Sequence, residues 1–508
     1  MKRYLTLIVN LILTNLTIFI KYYYQVWISS KFYYRRGSLM NSKKLKNAVI
    51  ATATCVGIST LPSFLMAGET YGPFPITLKG YTGDKTNTVS YGGQIARHAI
   101  HDSLKALAKT GNGGDNAGAL AAEMMAYFGG SDKNKAILGT VDKGDFNIKQ
   151  ETVNELSSGK NLSGKAYNGI MNAWPGGMTG AEVLESMIMN ASKTSGGFDP
   201  STGYNYQQLI SKFAMGAVFY NQAVDGYLDE KLSKPNSKPY KDGKHYTGLE
   251  HVWDEAWGYF GASANCLNLS AKQSYDIAKK KDMAAADTNG DGMVDLLSEY
   301  VFAHAYYASS YDKGGKTSYL ADICGAFLDG RKLIVSANGE DFSDSQMSTL
   351  KGYVDIIASN WEKVIAESVF KYAGSVYKDI GKLEELMDSN GDTGDAFKTY
   401  AKHWGELKGF AMALQSGKNN LGETAVKMNR MMGFGPVLLN SSQVVGMNSS
   451  GQYIKDESSG WGEYKLHMLK IQKLMVDAFG VEAKSNDMIS DMADLAAKLG
   501  ESDSAEND

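Results

Sequence analysis

Apolar residues recur at spacings of three and four over most of the chain, and that period predicts helices. The clearest run is Tyr206 to Leu232, with Leu209, Ile210, Phe213, Ala217, Phe219, Tyr220 and Val224 in step. Further helices are predicted over Tyr91 to Lys109, near 118–128, 163–174 and 180–194, over Tyr246 to Ser263, and near 270–285, 296–313 and 318–336. A second series covers Gln346 to Tyr377, Asp395 to Gln415, Gly422 to Met432, Glu463 to Ala478 and Asn486 to Leu499. Residues 68–90 are polar, rich in glycine and threonine and without helical period, so they read as an extended leader. Lys234 to Gly243 is a basic, turn-rich connector, and Gly433 to Gly462 reads as a long surface loop. The pattern predicts an all-α protein. Glycine is frequent at 55 and proline scarce at 8, which suits helices that end on glycine.

Charge changes the picture at the N-terminus. Nine of the 52 basic residues and none of the 55 acidic ones lie in residues 1–67, which leaves the rest of the chain at -12. An acidic body argues against nucleic acid as a partner, because phosphate binding needs clustered positive charge. It suits the attraction of cations. Asn41 to Asn47 is a charged segment, Ala48 to Met66 is apolar, and Ala67 offers the small residue a signal peptidase needs. Residues 40–67 are therefore expected to be a signal peptide, with the mature chain starting at Gly68 in the periplasm or at the cell surface. Residues 1–39 carry another apolar run, Tyr4 to Ile20, broken by Asn10 and Asn15. They read as an over-extended start, the alternative being a membrane anchor.

The 508 residues suit two to four domains. The expected division is a first helical bundle over 68–337, a second over 338–499, and a disordered acidic tail over 500–508. Cys266 and Cys324 remain in the mature chain. Either they pair, closing a loop worth about 4 kcal/mol on the entropy model, or they stand as two separate buried thiols.

Two turns stand out for chemistry. His251-Val-Trp-Asp-Glu-Ala-Trp-Gly has a fainter echo in His403-Trp-Gly-Glu-Leu-Lys-Gly. Both share the frame Trp-x-Glu-x-x-Gly, as Trp253, Glu255, Gly258 and Trp404, Glu406, Gly409. Residues three or four apart lie on one helix face, so His251 can meet Asp254 or Glu255, and His403 can meet Glu406. An imidazole beside a carboxylate supplies two ligands to iron or zinc, with more from a facing helix. Glu255 could otherwise serve as a general base beside a metal, although the histidine pair of the zinc-peptidase helix motif is missing. The same turn equally suits a packed core helix, with Trp253, Trp257, Tyr259 and Phe260 inside.

Asp287-Thr-Asn-Gly-Asp-Gly-Met-Val-Asp295 begins like a calcium loop. Asp287, Asn289 and Asp291 supply alternating oxygens, Gly292 the turn, Met293 a carbonyl and Asp295 the ninth position. Ser298 stands where the bidentate acid belongs, and Glu299 follows one place late. The alternative is a turn rich in Asp and Asn that caps the next helix.

Several segments together carry a resemblance. Tyr91-Gly-Gly-Gln-Ile-Ala-Arg97, Tyr220-Asn-Gln-Ala-Val-Asp-Gly-Tyr-Leu228, Glu250 to Phe260, Ala326-Phe-Leu-Asp-Gly-Arg331 and His403-Trp-Gly-Glu406 stand in that order. Residues 71–480 thereby resemble the bacterial domain-of-unknown-function 4856 family. That family is similar to imelysin-like proteins, exported proteins of two duplicated helical bundles with a Gly-x-His-x-x-Glu motif, linked to iron uptake and to peptidase activity. Here Gly248 lies three residues before His251 rather than two, and Asp254 stands three after it. At His403 the glutamate falls in place as Glu406, but Ala401 stands where glycine would be. The resemblance implies an export route and a fold, and the function expected with it is an exported metal-associated binding protein in iron acquisition, with a metal ion or small ligand and an outer-membrane uptake system as partners. A metallopeptidase and a non-catalytic interaction protein are the alternatives.

Overall fold

The computed structural model describes residues 69–130, 134–418 and 421–500. The expected over-extended start, the signal peptide and residues 501–508 of the acidic tail lie outside the described residues. Within them the helical pattern holds. The first elements are α1 (Gly92–Ala108), α2 (Ala117–Phe128), the single turn α3 (Val153–Leu156) and α4 (Gly180–Ala191). The two-residue strands β1 (Phe198–Asp199) and β2 (Tyr204–Asn205) then pair antiparallel and lead into α5 (Tyr206–Ala214). From Met215 to Glu230 the helix widens to a π-helix of 16 residues. Most π-helical segments are single turns and cluster at functional sites, so this length is unusual.

After the basic connector come α6 (Gly248–Phe260), α7 (Ala271–Ala278), α8 (Met283–Ala286), α9 (Ala303–Asp312) and α10 (Tyr319–Ser336). The chain then builds α11 (Asp344–Asp388), α12 (Gly394–Leu414) and α13 (Gly422–Met432). The hairpin β3 (Ser442–Met447) and β4 (Tyr453–Glu457) precedes α14 (Trp461–Phe479) and α15 (Met492–Leu499). With 45 residues, α11 spans roughly 68 Å, and α10, α12 and α14 all pack along it. No helix among the described residues is long and apolar enough to cross a membrane.

Two expectations are revised. The helix near 163–174 is a 3₁₀ turn at Ser163–Lys165 followed by loop. Tyr167 N–H donates to the carbonyl of Ala217 in the π-helix at 2.8 Å, so this stretch satisfies its backbone on a neighbour. The long loop at 433–462 contains the β3–β4 hairpin, bulged between Val444 and Gly446. One apolar core includes residues from Tyr71 to Ala483 and so draws on both expected bundles, with α12 packing on α5 and the π-helix. Cys266 and Cys324 form a disulfide with Cα atoms 6.6 Å apart, tying the turn after α6 to α10.

Candidate functional site

Helix α6 opens with a capping box. Thr247 Oγ1 accepts from Glu250 N–H at 3.1 Å, and the Glu250 carboxylate accepts from Thr247 N–H at 2.8 Å. The helix ends at Gly261, which is left-handed at φ 79 and lies where a Cβ would meet Phe302 at 2.9 Å. Successive helical residues are about 100° apart, so Asp254 and Glu255 face different neighbours. Glu250 and Asp254 share one face, and His251 and Glu255 share another.

The first face is buried. Arg331 of α10, fully enclosed, donates from Nε to Asp254 at 2.9 Å, from Nη1 to Glu250 at 3.2 Å and from Nη2 to Thr88 Oγ1 at 2.6 Å. Tyr71 Oη and Ser90 N–H donate to Asp254, and Thr77 Oγ1 donates to Glu250, so the leader is sewn to α6 by the same charges. Burial raises the Asp254 carboxyl above its ordinary value, and Arg331 opposes that rise. Asp254 therefore belongs to a structural ion network and does not join His251.

The second face carries the site. His251 Nε2 lies 3.4 Å from Glu255 Oε2, while Glu255 Oε1 accepts from Gln94 Nε2 of α1 at 2.8 Å. The imidazole stacks on Tyr246 at 4.9 Å and tilts against Tyr240 at 3.9 Å. Its Nδ1 is buried without a partner among the described residues. Burial lowers the His251 basicity, Glu255 pushes the other way, and Lys244, Lys241 and Lys231 lower it further. Tyr227 of the π-helix completes the group. Burial, and then the Glu255 charge, hold its hydroxyl far above its ordinary value.

Basic side chains surround this carboxylate. Arg97 of α1 donates from Nε to the Asn161 carbonyl and from Nη1 to the Gly93 carbonyl, both at 3.0 Å. Gln222 of the π-helix donates to the Lys165 carbonyl at 3.1 Å, so segment 160–165 is pinned between α1 and the π-helix. Gly93 lets Lys160 cross α1, since a Cβ there would meet the lysine Cε at 2.9 Å. Burial, and then Arg97, lower both Lys160 and Lys165, with Glu255 opposing.

The echo on α12 is arranged differently. His403 Nδ1 meets Asp379 of α11 at 2.6 Å. Glu406 turns inward, accepts from Tyr372 Oη at 3.2 Å and lies 4.0 Å from Lys212 Nζ of α5. The expected His403–Glu406 pair does not form, and the two histidine turns share no hydrogen-bond or ion-pair partner among the described residues. What the repeated frame does share is packing. Trp253 and Trp404 are both fully buried. A Cβ at Gly258 would meet Gln94 Cβ at 2.8 Å, and one at Gly409 would meet Lys212 Cβ at 2.5 Å. In each copy the glycine admits a crossing helix, and the glutamate three residues earlier meets the polar end of the residue that crosses. Among the described residues, no group of three His, Cys, Asp or Glu side chains comes together as a ligand set.

The loop at 287–299 closes on its own backbone. Asp287 accepts from the N–H groups of Gly290, Asp291 and Gly292, Asn289 from Asp291 N–H, and Asp291 from Met293 N–H. Glu299 accepts from Thr288 N–H and Asp295 N–H, and Lys149 Nζ lies 3.3 Å from Asp295 and 4.0 Å from Asp291.

The model of the domain of unknown function DUF4856 matches residues 187–432, the family that the sequence resembles. No curated protein and no solved structure matches the chain. Gln94, Arg97, Tyr227 and Arg331 sit in the very segments that carry the resemblance, yet sequence reasoning gave them no role. The available signal was Arg331, which with Lys332 gives the largely apolar helix Tyr319–Ser336 its two cations and has to be paired if buried.

Proposed function

We propose that the protein is an exported, non-catalytic binding protein that holds a small ligand at the Glu255 end of α6. One observation carries the reading. Glu255, with 16% of its side chain exposed, is the carboxylate on which α1, the π-helix and α6 converge, through Gln94, Tyr227 and His251. A partly accessible charge beside a few placed hydrogen-bonding groups is how a small-molecule site fixes orientation. The Cys266–Cys324 disulfide supports export, because such bonds persist in oxidising compartments. The neighbouring lysines and Arg97 disfavour a bare divalent cation here by simple repulsion. For the peptidase alternative, with Glu255 as general base, His251 is the one metal-ligating side chain within ion-pair distance of it among the described residues.

The test is a thermal-shift screen of the purified protein against sugars, amino acids, polycarboxylates, inorganic phosphates, iron and zinc. At least one compound is expected to raise Tm, with the shift changed threefold or more in Glu255→Ala. A panel without such a compound overturns the reading.

Calcium in the 287–299 loop is a second reading, favoured by Gly292 at φ 81 beneath the Asp287 carboxylate, as a cation loop requires. Calcium would have to displace the Lys149 ammonium from Asp295. Millimolar calcium is then expected to raise Tm in the wild type and more strongly in Lys149→Met, and to leave Asp287→Ala unmoved. Equal responses in all three proteins would dismiss the loop as a site.

A further inference from the structure

The body of the protein is acidic, yet the surroundings of Glu255 are not. Arg97 is 91% buried and uses Nε and Nη1 on backbone carbonyls, which neutralise nothing. Lys160 and Lys165 are half-buried on the segment pinned across it. None of the three has a carboxylate within ion-pair distance among the described residues. The Nζ of Lys231 lies 4.2 Å from the centre of the Tyr227 ring, on the same side of the π-helix. Half-buried cations that repel one another, with a single carboxylate nearby, leave positive charge that the protein itself does not balance. Such a cluster is costly to assemble unless something negative completes it. The exposed lysines of the connector before α6, Lys241 and Lys244, extend the positive field outward and would steer an anion inward against the net charge of the chain.

We infer that the ligand held at this site is a small polyvalent oxyanion, a polyphosphate or a polycarboxylate, gripped by Arg97, Lys160 and Lys165. The inference rests on the ligand reading above and gives it a chemical class. Arg97 offers its remaining Nη2 hydrogens, and the two lysines offer compact ammonium groups from the segment pinned across α1. Glu255 holds Gln94 in place, and its own charge limits the affinity.

Titration calorimetry with inorganic pyrophosphate and, separately, with citrate distinguishes the two sources. One of them is expected to bind. Lys160→Gln and Lys165→Gln should each weaken that binding five- to tenfold, and raising NaCl from 20 to 200 mM should weaken it further. Glu255→Gln should tighten it, a sign that a purely structural role for these residues would not produce. If a neutral compound from the thermal-shift panel binds and both lysine variants keep it, the site stands and the oxyanion class falls. If neither anion binds and no panel compound responds to Glu255→Ala, both readings fall. Anion binding that is unchanged in both lysine variants places the anion elsewhere and overturns the inference.

Discussion

Arg331→Met is expected to cost about 3–5 kcal/mol of folding stability at pH 7, the largest single loss among the polar groups around α6. The guanidinium is fully enclosed and serves Asp254, Glu250 and Thr88 at once. Methionine keeps much of the stem but leaves two carboxylates buried with only neutral donors. The deficit should shrink in acid. Asp254 already has its folded carboxyl raised above the ordinary value by burial, against the pull of Arg331. A group raised in this way favours the folded state below its unfolded value near 3.8 and loses that advantage as pH rises through its folded value. Removing Arg331 raises it further, so the variant's loss should be smaller near pH 4.5 than at pH 7. Adding Glu250→Gln and Asp254→Asn to Arg331→Met should restore much of the stability, because uncharged amides can still accept from Thr247, Thr77 and Tyr71. Urea melts of the three proteins at both pH values measure this. A loss below about 1 kcal/mol in the single variant would mean that the network is dispensable.

The His251–Glu255 pair was legible because its spacing of four is a property of a single helix. The same rule offered Asp254, and nothing local could choose between them; Arg331, 77 residues further on, made the choice. Gln94, Arg97, Lys160 and Lys165 reach the site through tertiary packing, which hydrophobic period does not encode. The His403 turn misled for the same reason, since Asp379 on α11 outcompetes Glu406 for the imidazole. Helix extents fared better where glycine or a polar turn bounds them. Gly422–Met432 matches the expectation residue for residue. The helix expected over Tyr206 to Leu232 runs as α5 and then as the π-helix to Glu230, so its extent was legible but not its change of pitch, because Phe219, Ala223 and Tyr227 are four apart and Leu228 lies five after Ala223, which either winding accommodates. The β3–β4 hairpin was invisible because Val444 is its single fully buried side chain, so no inward–outward alternation marks it.

Lys408→Met is expected to stabilise the protein, by about 3 kcal/mol near pH 6, with the gain fading towards pH 10. Lys408 is fully buried on α12, and its Nζ donates to the Gly433 carbonyl at 2.6 Å between the rings of Trp404 and Phe434. Burial lowers it to about 7 from an ordinary 10.5. Below pH 7 both folded and unfolded chains carry the proton, so folding bears the whole cost of enclosing an ammonium. Between 7 and 10.5 the folded lysine is neutral while the unfolded one still holds its proton, and stability rises with pH. Roughly 1.4 kcal/mol per unit over that interval, less about 1 for the lost hydrogen bond and more for imperfect packing of the thioether, gives the stated gain. Paired denaturant melts of wild type and variant at pH 6, 8 and 10 decide it, and an equal difference at all three would show that charge is not the cause. In the repeated frame Lys408 stands where the first copy has Trp257, also buried. The α6 copy thus fills that position with an apolar ring, and the α12 copy fills it with a cation whose hydrogen-bond partner among the described residues is the Gly433 carbonyl. The cost falls on the copy whose glutamate is the more deeply buried.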